Sequence, residues 1–182
     1  MLSRRHIRLK VMQSLYSYFS IKENQIDFVE KDMLKHFHSV VELKLVVISL
    51  LLEVVRYAQK FYNEGKKKYL PKSADLNPNT KFISNQVVVN ILDDKELMHS
   101  VSKVSCIWTN NDHDIARKLF SIIVKSDFYN RYLKSKNITI DYDKKFIVDL
   151  MNDYILNNEL VHHILEEKSI YWIDDLPFIT TI

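Results

Sequence analysis

The sequence predicts an all-α fold: a multi-helix bundle with one long central helix and no sheet. Three observations lead there. Glycine occurs once and proline three times in 182 residues, and tight turns, β-bulges and phosphate-cradling loops lean on glycine. Apolar residues recur at helical three- and four-residue steps. Only one extended loop, residues 69–82, interrupts the pattern; two prolines with asparagines around Pro78 make it a fixed non-helical excursion. At 47% hydrophobic and 27% charged, the composition is that of a folded globular chain.

Taken in order, Ser3 is the expected N-cap of a first helix reaching about Phe19, because its hydroxyl can accept from an early backbone N–H. Ile7, Val11, Leu15 and Tyr18 share one side of this helix and are expected to face the core. His6, Lys10, Gln13 and Ser17 fall on the other, polar side. The second helix runs from about Ile26 to Asn63 on a pattern of Phe28, Leu34, Phe37, Val41, Leu45, Ile48, Leu52, Val55 and Phe61. Gly65 stands where a C-terminal cap wants positive φ, and Lys66, Lys67 and Lys68 suit the negative end of the helix dipole. Short helices are expected at about 84–92 and 95–105. Longer ones follow from Asp112 to Ser135 and from Asp141 to Asn157, with both aspartates as N-caps. A helix at about 159–168 and a terminal one from Asp174 complete the series.

Several classes are excluded. A single cysteine, Cys106, rules out a disulfide framework within the chain and fits a reducing compartment. The N-terminus lacks the apolar run and cleavage site of a signal peptide. Val40 to Val55 is strongly apolar, but Glu42, Lys44 and Glu53 interrupt it. Its unbroken part, Leu45 to Leu52, falls far below the ~20 residues of a membrane span. A buried core helix, no membrane partner and a cytoplasmic location are the expectation.

Charge is unevenly placed. Five of the 26 basic residues and none of the 23 acidic ones lie within residues 1–22, so the rest of the chain is net acidic. Concentrated cationic charge on a helix is the footprint of a polyanion contact.

Within that segment, Arg4-Arg5-His6-Ile7-Arg8-Leu9-Lys10-Val11-Met12-Gln13-Ser14-Leu15-Tyr16 resembles the opening of the transcription antitermination factor NusB family: paired arginines, a third basic residue, then Gln-x-Leu-Tyr. The stretches Asp75-Leu-Asn-Pro-Asn-Thr-Lys-Phe82 and Ser169-Ile-Tyr-Trp-Ile-Asp-Asp-Leu-Pro177 look like a long-form variant with a helical region inserted after the first helix. The resemblance implies an all-α RNA-binding protein without catalytic activity or cofactor. Such a protein binds single-stranded boxA-like RNA together with a small-subunit ribosomal protein of the NusE type, within the transcription elongation complex. It assigns RNA contact to Arg4, Arg5, Arg8, Lys10 and Gln13. Arginine forks pair with phosphates and stack on unpaired bases, and Gln13 offers a donor and an acceptor to a base edge.

On this reading residues 1–182 form a single helical domain. Its first helix, 3–20, carries the motif, and 21–182 serve as helical insert and scaffold. The family's second-half motifs, including an Asn-Gly-x-Leu-Asp signature, are not in the sequence. The apolar ending Leu-Pro-Phe-Ile-Thr-Thr-Ile suggests a polypeptide that stops short of its natural end.

Two other readings carry chemistry. Glu96 with His99 and Glu159 with His162 are both Glu-x-x-His. With Glu42 and Glu53 they sketch the ligand set of a ferritin-like di-metal bundle. Chance pairing among 7 histidines and 23 acids accounts for them more simply, and no metal ligand is assigned. A pure protein-interaction scaffold is the third reading. Cys106 beside Trp108 reads as an inert buried thiol, and His113 between Asp112 and Asp114 as a helix start.

Overall fold

The computed structural model of the chain describes residues 4–20, 26–70, 72–104, 108, 113–137, 139–169 and 171–181. Among them lie nine α-helices and no strand. They are α1 (Arg4–Ser20), α2 (Ile26–Lys66), α3 (Ser73–Leu76), α4 (Gln86–Asp93), α5 (Lys95–Val104), α6 (His113–Lys125), α7 (Asp127–Lys134), α8 (Ile140–Leu150) and α9 (Glu159–Lys168). A π-helical turn, Met151–Leu156, carries α8 onward, and a 3₁₀ helix, Ile173–Thr181, follows α9. The all-α expectation and the 41-residue α2 agree with the sequence reading. Ser3, Cys106 and Asp112, on which three expectations rested, lie outside the described residues.

The chain divides into two compact units, one of Met1–Lys44 with His162–Ile182 and one of Leu45–Val161. Helix α2 contributes to both. Its middle is the apolar segment read as core: Val40, Leu43, Val46, Val47, Leu50, Leu51, Val54 and Ala58 are all buried, following a three-four step. No helix among the described residues is long and apolar enough to cross a membrane. The predicted phase of α2 fails toward its N-terminus, where Phe28, Leu34 and Val41 are exposed. Gly65 is also corrected: it is buried inside the helix, with no positive φ, and the helix closes one residue later at Lys66.

In the second unit, polar residues mark where helices break. The predicted single helix from 112 to 135 is two, because Ser126 ends one and caps the next. Its hydroxyl accepts from Tyr129 N at 3.2 Å and donates to Ile123 O at 2.7 Å, the local competition that serine offers a helix. The N-cap of α8 is Thr139, not Asp141, which lies in the first turn. Asn85 caps α4, accepting from Val87 N and Val88 N.

A buried polar knot ties α4, α7 and α8 together. Tyr132 donates its hydroxyl to Asp143 Oδ1 at 2.8 Å, Gln86 N donates to Asp143 Oδ2 at 2.9 Å, and Asn85 Nδ2 donates to Tyr132 Oη at 2.9 Å. Burial, then the carboxylate's claim on the proton, pushes the Tyr132 hydroxyl well above its usual range. Beside the knot runs a column of near-parallel rings: Tyr142 on Tyr132 at 5.8 Å, Tyr132 on Phe146 at 3.6 Å, Phe146 on Phe128 at 5.0 Å and Phe128 on Tyr154 at 5.7 Å. The Lys81 ammonium sits over Tyr132 at 4.6 Å. Trp108 closes on α2, its Nε1 donating to Val46 O and Ser49 Oγ.

Candidate nucleic-acid interface

The candidate surface belongs to α1, in the first unit, and what orients it is an ion cluster. His6, Lys10 and Ser14, spaced four apart, fall on one helical face, and all three are buried. Across from them the 3₁₀ helix presents Asp175, 1% exposed. Its Oδ1 lies 2.9 Å from His6 Nε2 and 2.7 Å from Lys10 Nζ. A carboxylate only accepts, so Nε2 carries the hydrogen of the histidine contact. Phe178, one 3₁₀ turn further along, stacks on the His6 ring at 4.9 Å. Ser14 returns its hydroxyl to Lys10 O at 3.0 Å.

This arrangement inverts the predicted orientation of α1. The polar side, His6 and Lys10, faces inward, while Ile7, Val11 and Leu15, assigned to the core, are exposed at 40, 37 and 51%. Tyr18 is half-buried. The rule that polar residues face water failed because a complementary carboxylate waits 169 residues away in sequence from His6. A buried charge is tolerated when it is paired and hydrogen-bonded. Lys10 is therefore committed to Asp175 and is 4% exposed, so the phosphate contact expected of it has no accessible ammonium.

The other four residues of the predicted set stand at the surface. Arg4, Arg5, Arg8 and Gln13 are exposed, and the three arginines make no ion pair among the described residues. Helix α1 contains no acid, so nothing on it neutralises them. Arg5, Arg8, Met12, Tyr16 and Phe19 recur at three- and four-residue steps and share one exposed side. Gln13 flanks it, one turn from Tyr16. Tyr16 and Phe19 are 76 and 79% exposed, an orientation in which rings can stack on unpaired bases.

Two residues of this arrangement escaped the sequence reading. The terminal helix was expected from Asp174, with no separate role for Asp175; a buried role is not written in a local pattern. Phe19 was passed over as the end of a helix. The i, i+4, i+8 recurrence of His6, Lys10 and Ser14 was the one signal available for a buried polar seam.

The Lys66–Lys68 run is exposed at the end of α2. The di-metal reading finds no support: Glu96 and His99 are both exposed on α5, and Glu53 pairs with Arg56. No group of three or more His, Cys, Asp or Glu among the described residues is placed to hold a metal. No protein-family model, curated protein or solved structure matches this chain.

Proposed function

We propose that the protein binds single-stranded RNA through α1 and acts in transcription antitermination, with a boxA-like element as its RNA. The observation that supports this most is the buried anchor of His6, Lys10 and Asp175. It gives α1 a fixed rotation, and at that rotation Arg4, Arg5 and Arg8 face solvent together with Tyr16 and Phe19. Cations tracking phosphates, interleaved with rings that stack on bases, are the parts from which single-strand binding is built. Gln13 supplies modest base discrimination from the flank. By the family resemblance, a small-subunit ribosomal protein of the NusE type shares the RNA, and the complex joins the elongating polymerase in the cytoplasm.

Fluorescence anisotropy with a boxA-like single strand tests the assignment. Changing Arg4, Arg5 and Arg8 together to Ala is expected to weaken binding severely at near-physiological salt. Unchanged affinity in that variant, or no binding by the unaltered protein to any single strand, overturns it.

A further inference from the structure

The side of α1 turned away from Asp175, next to the arginine and aromatic stripe, has an unmet counterpart on α2. Arg4, Arg8, Val11, Leu15 and Tyr18 follow one another at steps of four, three, four and three along α1. On α2, Asp27, Glu30, Leu34, Phe37 and Val41 follow at steps of three, four, three and four. Both are heptad seams, the spacing by which two helices pack side by side. Both rise through the same number of residue steps, about 21 Å of helix. Each opens with two charges and continues with three apolar residues, cationic on α1 and acidic on α2.

Among the described residues both seams stay largely open to solvent. Val11, Leu15, Leu34 and Val41 are between 37 and 54% exposed, and Tyr18 and Phe37 are half-buried. Arg4, Arg8, Asp27 and Glu30 are exposed and make no ion pair among the described residues. Apolar surface this continuous is the mark of an interaction site.

The order of charges selects the occupant. Laid parallel, the two seams match throughout: Arg4 and Arg8 meet Asp27 and Glu30, and Val11, Leu15 and Tyr18 meet Leu34, Phe37 and Val41. A parallel match within one chain would carry residues 21–25 back along α1 over ~25 Å, whereas the six peptide steps from Ser20 to Ile26 reach at most ~22 Å. Antiparallel packing would set the arginines against Val41 and the acids against Tyr18. The parallel match is open only to two chains.

We infer that the protein self-associates as a two-fold dimer in which α1 of each copy lies parallel along α2 of the other. The two-fold relation gives two such pairings, each contributing to an interface whose usual size is ~1,600 Å². This inference goes beyond RNA binding and does not depend on it; because the dimer pairs Arg4 and Arg8 with acids, a second copy and an RNA strand compete for those two arginines.

A charge exchange tests it by sedimentation velocity at tens of micromolar protein and low salt. The unaltered chain is expected at twice its 21.7 kDa mass. Arg4→Glu with Arg8→Glu sets acid against acid and is expected at monomer mass. Asp27→Lys with Glu30→Lys sets base against base, leaves every proposed RNA-contact residue in place, and is also expected at monomer mass. An equimolar mixture of the two variants is expected to return to dimer mass with one copy of each, a rescue open only to folded chains. A monomeric unaltered protein, a variant that dimerises alone, or a mixture that stays monomeric overturns the inference.

Discussion

Lys10 and Arg8 stand two positions apart on the same helix, and their charges end in opposite environments. Arg8 reaches water; Lys10 meets Asp175 at 2.7 Å with almost no exposure. One carboxylate oxygen serves both Lys10 and His6, so the cluster depends on Asp175 more than on either partner. Asp175→Ala strands a buried ammonium, a loss of about 3–5 kcal/mol for broken buried pairs. Urea unfolding of that variant is expected to show a loss on this scale. Replacing Lys10 and Asp175 together, with Lys10→Met and Asp175→Leu, removes the stranded ammonium and is expected to recover that part of the loss, while His6 Nε2 still lacks its acceptor; a double variant as unstable as Asp175→Ala contradicts the pairing. In the second unit Asn85 combines a helix cap with a buried hydrogen bond to Tyr132. Asn85→Ala is expected to cost about 1–2 kcal/mol, the upper part of the range for a lost cap, read by the same unfolding measurement.

Among the elements, the helices themselves were legible and their faces only partly so. One glycine and sustained three-four periodicity led to α2, α4, α5 and α9 with boundaries close to those observed. The apolar middle of α2 was legible because nothing but a core accepts so dense a run of Val and Leu. The face of α1 was not, because hydrophobicity alone places Ile7, Val11 and Leu15 inside, and the ion cluster that overrides it depends on a residue in the 3₁₀ helix. The break at Ser126 was missed for a similar reason: serine is tolerated in helices, and its cap on α7 shows only in three dimensions. The buried tyrosines of α7 make a pH prediction. Burial raises the hydroxyls of Tyr129 and Tyr132 above the 10.0 of a free tyrosine. A group raised on folding contributes stability that is whole below its unfolded value and declines as pH rises above it. Denaturant stability measured from pH 8 to 11 is therefore expected to hold to about 10, the unfolded tyrosine value, and then fall. Tyr132→Phe is expected to flatten part of that fall, and an unchanged alkaline slope would detach it from this hydroxyl.

At the scale of the whole molecule, the charge distribution read from the sequence keeps its place but changes its membership. Residues 1–22 hold a basic excess against a net acidic remainder, yet one of those charges is spent on holding α1 in position. The candidate surface is consequently narrower than the sequence suggested: Arg4, Arg5 and Arg8 with Gln13, Tyr16 and Phe19, and without Lys10. The salt dependence of affinity for a boxA-like single strand tests this division most directly. Each phosphate neutralised on a single strand contributes ~0.7 to the slope of log affinity against log salt. The three arginines changed together to Ala are expected to lower that slope by about 2 on this scale, while Lys10→Met, compared where it remains folded, leaves it unchanged. A slope that survives the loss of the arginines, or one that falls with Lys10 as it does with an arginine, contradicts the account.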